Sequence, residues 1–325
     1  MWVILSGKAL SKRLPLENNI NLRAYGSNMY EDIGRLIGEG FSTWRNNLNL
    51  CIPFLLSIIF SALAVIPMIA VVVAILGITN IESSSYEQLL SEIMDSLPSL
   101  ILAFLATVLL LTVVSAFFEA GAIGMARQAT EEGKTQVGSM WAAGKKNLQS
   151  MFVLSVVVDL ISIAGVVFLV PGILMLPQPI NIQNIQNFSP DPQTIGMLVL
   201  GILVLIIYAF ILSIVLAIAP YALVVESVGP VDAIKASIRF FSYNKFDVFI
   251  LWIVIVSISI GLEMIGSSVS TGGNTAAQPL SLLTGLVNLL ILTPLSTVWW
   301  TRLYMSRTGK MLYKKDMSDD LYGSQ

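Results

Sequence analysis

The stretch LCIPFLLSIIFSALAVIPMIAVVVAILGI, from Leu50 to Ile78, contains no charged residue. A helix needs about 20 apolar residues to cross a hydrocarbon layer about 30 Å thick, so this stretch is long enough to span it with some tilt. Five further stretches read the same way: Leu97 to Met125, Met151 to Pro177, Ile195 to Val225, Phe246 to Gly266 and Leu280 to Leu303. Several exceed a straight crossing, and breaks are expected at Pro67, Pro171, Pro220 and Pro294. The expected fold is all-α: a polytopic membrane protein with six transmembrane helices.

Composition agrees. Of 325 residues only 12% are charged and 55% are apolar. The mean hydropathy is +0.80. A charged share roughly half the globular norm does not cover a water-soluble surface. The chain holds no histidine and one cysteine. Ser-His-Asp hydrolysis, Cys-His proteolysis and imidazole-based zinc sites are therefore excluded, as is an ordinary general base near neutrality. Cys51, at the start of the first span, reads as a small buried hydrophobe. Neither an enzymatic activity nor a cofactor is expected.

All 18 Lys and Arg residues fall in the leading segment, the second and fourth connections, and the end of the sixth span with the tail. The other three connections carry Glu82, Glu87, Glu92, Asp95 and Asp191 but no cation. By the positive-inside rule both termini are expected in the cytoplasm of a multi-pass cell-membrane protein. No cleavable signal peptide is expected, since the apolar run Met1 to Leu5 is too short.

Each cytoplasmic connection contains an amphipathic stretch leading into a span. Ile33, Ile37, Phe41 and Trp44 form one stripe; Val137, Met140, Trp141 and Leu148 a second; Ala233, Ile234, Ser237, Phe240 and Phe241 a third. These are expected to be helices in the cytoplasmic interface. Their candidate contacts with anionic lipid headgroups are Arg35, Arg45, Lys145, Lys146, Lys235 and Arg239. Membrane lipids, with or without a protein partner, are the expected partners, and nucleic acid is not. Asn47, Asn147 and Asn244 precede the first, third and fifth spans, which suggests three copies of one unit: Asn28 to Ala126, Arg127 to Glu226 and Ser227 to Lys310. Gly133, Gly229 and Gly309 stand where helix-ending residues would. The alternative is that inner loops of six-span proteins commonly have amphipathic ends.

Within the spans, ionisable groups are costly and mark candidate sites. Asp159 lies in the third span, about 12 Å below the cytoplasmic boundary at 1.5 Å per residue. It reads either as a proton or cation site facing a cavity or as a structural carboxylate, paired with Arg127 or Arg302 or protonated; the structural role is the one expected. Glu119 lies near Gly121 and Gly124, where helices can approach closely, and Glu263 near the outer end of the fifth span. Asn187-Phe188-Ser189 matches a glycosylation acceptor in an external loop.

The segment APYALVVESVGPVDAIKASIRFFSYNKFDVF, Ala219 to Phe249, resembles the signature of the glycerophosphoryl diester phosphodiesterase membrane-domain family and of related prokaryotic membrane proteins without an assigned activity. Pro220, Glu226, Gly229, Pro230, Ala233, Ser237, Phe240 and Phe241 carry it, and the opening EDIGRLIGEGFSTWRNNLNLCIPF is similar to that family's start. The resemblance implies a six-span membrane module. In the namesake proteins catalysis belongs to a separate fused domain, and the histidines such a hydrolase uses are missing here. The expected organisation is an N-terminal extension over 1–28, a six-span domain over 29–310 that opens at Met29, an alternative start, and a cytoplasmic tail over 311–325. The expected role is a non-catalytic membrane module that organises lipid or a partner protein; the alternative is a small-solute or ion-coupled transporter or channel.

Overall fold

The computed structural model describes residues 31–76, 86–176, 191–268 and 277–313. The extension over 1–28, Asn187 and the tail beyond Tyr313 lie outside the described residues. The described elements are helical throughout. They are α1 (Ile33–Asn46), α2 (Ile52–Leu76), α3 (Tyr86–Glu132), α4 (Val137–Ala164), α5 (Val170–Leu174), α6 (Pro192–Val215), α7 (Ala219–Glu226), α8 (Pro230–Tyr243), α9 (Lys245–Ser268), α10 (Ala277–Val287) and α11 (Thr293–Arg307). A 3₁₀ turn, Leu48–Cys51, joins α1 to α2, and another, Gly165–Leu169, joins α4 to α5; a π-helical turn, Asn288–Leu292, joins α10 to α11.

Among the described residues, six segments are long and apolar enough to cross a membrane: Leu48–Ala74, Met94–Glu132, Val137–Leu174, Pro192–Glu226, Lys245–Gly266 and Leu282–Arg307. Of the most apolar window in each, 6% is buried in the first and 33% in the sixth. The protein core therefore gathers around the sixth span, and the outer faces of the other spans show apolar side chains to their surroundings. Leu102, Leu160 and Ile206, each more than 60% exposed, are examples. In water that surface would be untenable; in hydrocarbon it costs nothing.

The core lies at the end of the bundle that carries the basic residues. Trp299, Trp300, Leu303, Tyr304 and Met305 of α11 pack there with Leu36 of α1, Ala222 and Val225 of α7, Phe240 of α8, and Val248 and Leu251 of α9. The amphipathic stripe of α1 is thus covered mainly by protein: Ile33, Ile37 and Trp44 pack against this cluster, and Trp299 donates its indole N–H to the Ile37 carbonyl at 3.0 Å. Gly40 lets the Trp299 ring lie against the helix backbone. Phe41, 45% exposed, is the member of the stripe left outside. The expected apolar face is present, and protein covers most of it, because periodicity reports an apolar face and says nothing of what covers it.

The three asparagines play one local role. The Asn47, Asn147 and Asn244 side chains each donate to the carbonyl four residues earlier, those of Thr43, Ala143 and Phe240, at 2.9–3.0 Å. At Asn47 and Asn244 the backbone leaves the helical region, so α1 and α8 are separate from the spans that follow. At Asn147 the helix runs straight through, and the second amphipathic stretch is simply the first half of α4 rather than a separate interfacial helix. Asn47 also bridges to the turn between α3 and α4, donating to the Gly133 carbonyl at 3.0 Å and accepting from the Thr135 N–H at 2.9 Å.

Gly133 (φ 77°) and Gly309 (φ 69°) end their helices in the left-handed region, where glycine pays no Cβ penalty. Gly229 does not; Ser227, at φ 53°, takes that position, and Gly229 caps the start of α8 instead. Proline breaks occur at three of the four expected places. Pro171 follows the 3₁₀ turn, Pro220 opens α7 and Pro294 follows the π turn, whereas α2 continues through Pro67. Cys51 is half-buried and donates its thiol to the Leu290 carbonyl in the π turn at 3.0 Å, so it is a polar contact rather than a plain hydrophobe.

Candidate functional site

Small residues bring α3 and α4 into contact at their basic ends. A Cβ on Gly121 would lie 2.7 Å from the Met140 Cγ, and one on Gly144 2.9 Å from the Phe117 ring. Gly124 faces Ala143 so closely that a Cβ there would collide with the Ala143 methyl. Away from this clamp the facing stripes open around a cavity of about 470 Å³. Val108, Thr112, Ser115 and Glu119 line it from α3, and Met151, Ser155, Val158 and Asp159 from α4, at the three- and four-residue spacing of one helix face.

The third wall is the break in the fourth span, where Leu216 and Pro220 reach the same cavity. Proline has no N–H to continue the helix, and the Ala219 N–H bonds to the Leu216 carbonyl, leaving the Val215 carbonyl without its usual partner. Ser237 of α8 supplies one, donating its hydroxyl at 2.7 Å. Ala233, four residues earlier on the same face and fully buried, packs in the cluster of Ala219, Leu223 and Val224. The A-x-x-x-S pattern of α8 thus supports an interrupted span of the kind found where backbone borders an internal cavity.

A second cavity, about 320 Å³, lies on the other side of α3. Six hydroxyl side chains line it, Ser57, Ser115, Tyr221, Thr293, Ser296 and Thr297, together with Glu119. Ser115 and Glu119 therefore border both cavities. Neither lining includes a Lys or Arg among the described residues.

Asp159 is exposed on α4 and takes part in none of the ion pairs among the described residues. The structural pairing expected for it does not form, because both arginines are engaged elsewhere. Arg127 pairs with Glu131 at 2.9 Å, one turn along α3. Arg302, 2% exposed, makes two 2.7 Å bonds to the carboxylate of Glu31. Glu119 joins Asp159 in the larger cavity; Glu263 is exposed near the far end of α9 and lines neither cavity. The six candidate headgroup contacts, Arg35, Arg45, Lys145, Lys146, Lys235 and Arg239, are all exposed. Lys235 pairs with Asp232 at 3.6 Å, and Lys146 donates to the Ser227 hydroxyl at 2.9 Å.

A family described as a domain of unknown function (DUF7847) matches residues 55–304. The chain belongs to that family. The DUF7847 region runs from the start of α2 into α11, and it holds the whole lining of the larger cavity and all but Phe54 of the smaller. Of the buried ion pair it holds Arg302 and leaves Glu31 outside. No curated protein and no solved structure matches the chain.

The partners of Asn47 and of Arg302 were not visible to sequence reasoning. Nothing along the chain points from Arg302 to Glu31, 271 residues earlier. The one available signal was an arginine inside an apolar span, which demands an acidic partner somewhere.

Proposed function

We propose that this is a multi-pass protein of the cell membrane, both termini cytoplasmic, that passes a small cation or cationic solute by way of the two cavities meeting at Glu119. The observation that carries the reading is that one carboxylate, with Ser115 beside it, borders both cavities. Glu119 lies within the second apolar span. An acidic group inside such a span costs several kcal/mol unless it serves a polar route or finds a partner. Asp159 adds a second carboxylate to the larger cavity, the hydroxyls of the smaller one suit hard cations and water, and among the described residues no basic side chain lines either. The orientation rests on the distribution of Lys and Arg. Catalysis is not part of the proposal, since the chain has no histidine to serve a nucleophile.

A second reading, a non-catalytic module that organises lipid or a partner protein, draws on the six exposed cations at the basic end. The resemblance of Ala219 to Phe249 to the phosphodiesterase membrane-domain family is compatible with either, because three of the eight residues that carry it, Pro220, Ala233 and Ser237, support the span break.

Reconstitution separates the two. Proteoliposomes carrying the wild-type chain should take up rubidium or protons, read by tracer and by a pH-sensitive dye, above empty vesicles. Glu119→Gln should abolish that flux and Asp159→Asn should reduce it, both with unchanged thermal stability. Folded wild-type protein that gives no flux over empty vesicles refutes the proposal.

A further inference from the structure

Where α3 ends, α4 begins and α7 turns into α8, a third cleft of about 280 Å³ opens. Arg127 and Lys146 stand on two of its walls, with Ser139, Asn147, Ser227 and Glu131 between them. Its floor is the close contact of Gly124 with Ala143, and Val224 supplies an apolar side.

The two cations are held in place by the fold. Arg127 donates through Nε to Glu131 Oε1 at 2.9 Å and through Nη1 to the Val225 carbonyl at 3.1 Å. Lys146 donates to the hydroxyl of Ser227, the residue whose left-handed backbone makes the α7–α8 turn. These bonds use a minority of the N–H groups that a guanidinium and an ammonium carry. Two positive charges face one carboxylate, so the cleft keeps a net positive charge and a surplus of donors. Asn147 is the counterpart of Asn47 and Asn244, the residues at which the basic stretches give way to apolar spans, so the cleft lies at the basic end of the bundle.

We propose that this cleft binds a phosphate group, carried by an anionic lipid or free in solution. A planar guanidinium with a point-charge ammonium opposite it matches phosphate oxygens, and the Val224 side leaves room for the apolar portion of a lipid headgroup. The site is separate from the cation route and stands whether or not that route conducts.

The test uses the full chain in nanodiscs of phosphatidylcholine, with phosphatidylglycerol or inorganic phosphate titrated in and the thermal midpoint read. Either ligand should raise the wild-type midpoint. Lys146→Gln should weaken the apparent affinity about tenfold, the loss of one charge-assisted contact. Lys134→Gln, exposed on the nearby α3–α4 turn and outside the cleft, should hold it within about twofold. A response to phosphatidylglycerol alone assigns the site to a lipid headgroup, and one to inorganic phosphate alone to a soluble ion. Native mass spectrometry of the wild type should retain the same species, a readout that needs no variant to fold. No midpoint shift and no retained phosphate species overturns the proposal, and so does an equal loss in the Lys134 and Lys146 variants, which would mark diffuse attraction to a charged surface.

Discussion

Glu31→Gln probes how the basic end of the bundle is locked. Glu31 and Arg302 are 3% and 2% exposed, and the Nε–Oε2 and Nη2–Oε1 contacts are both 2.7 Å, a parallel two-bond pair. The backbone of Glu31 is tied to the same helix: its N–H donates to Ser306 Oγ at 3.3 Å, and its carbonyl accepts from Arg307 at 2.9 Å. Glutamine is almost isosteric, so those backbone bonds persist and the substitution removes one charge and one acceptor. Breaking a buried pair from one side commonly costs about 3–5 kcal/mol, because the other charge stays buried and uncompensated. Here Glu39, 3.8 Å from Nη2 but 42% exposed, and the Thr43 hydroxyl at 3.4 Å offset part of the loss. The expected destabilisation is therefore about 3 kcal/mol, the lower end of that range. Equilibrium unfolding in detergent, followed by the fluorescence of the buried Trp299 and Trp300 on the same helix, reads it directly. Arg302→Gln added to Glu31→Gln should cost less than the sum of the two single changes, since neither charge is then left alone. A Glu31→Gln effect within the ~0.5 kcal/mol of an ordinary surface change, or an equal effect from Glu39→Gln, would refute the reasoning.

Three other substitutions follow from the packing. Ser237→Ala leaves the Val215 carbonyl at the span break without its donor and should cost about 1–3 kcal/mol in the same unfolding assay; an unchanged midpoint would show that the break needs no support from α8. Gly124→Val drives α3 and α4 apart at their closest point and should cost about 1–3 kcal/mol, with Gly38→Val on the open face of α1 as the control that lacks the clash. Asn47→Ala should destabilise more than Asn147→Ala or Asn244→Ala, because only Asn47 adds the two bonds to the Gly133–Thr135 turn; equal effects would reduce all three to their shared local bond.

The six spans were legible because length and the absence of charge are local properties, and three of the four proline breaks because a missing N–H acts on its own helix. The cavities were not. They arise from the divergence of α3 and α4 beyond the contact of Gly121 and Gly124 with Met140 and Ala143, and a helix direction is set by tertiary packing rather than by any residue of the lining. Asp159 and Glu119 were marked by the cost of a carboxylate in a span, yet the pattern could not reveal that they share a cavity. The two arginines expected as partners of Asp159 turned elsewhere, Arg127 to Glu131 and Arg302 to Glu31, since ion pairs are chosen by proximity in space. The apolar stripe of α1 pointed correctly to a helix and left open whether lipid or α11 would cover it.

The place of α11 at the centre of the core bears on how the molecule is made. A ribosome delivers the chain from its N-terminus, so α1 emerges long before the helix it packs against. The Glu31–Arg302 pair spans 271 residues, which at about 5–20 residues per second amounts to roughly 14–54 s of elongation. Throughout that interval α1 has its apolar stripe and Glu31 without their final neighbours, and the interrupted fourth span waits for α8. The contacts of the basic end that involve α11 consequently form only after the sixth span has been made. A chain cut before Thr293 would insert its hydrophobic segments and still lack the helix around which they close.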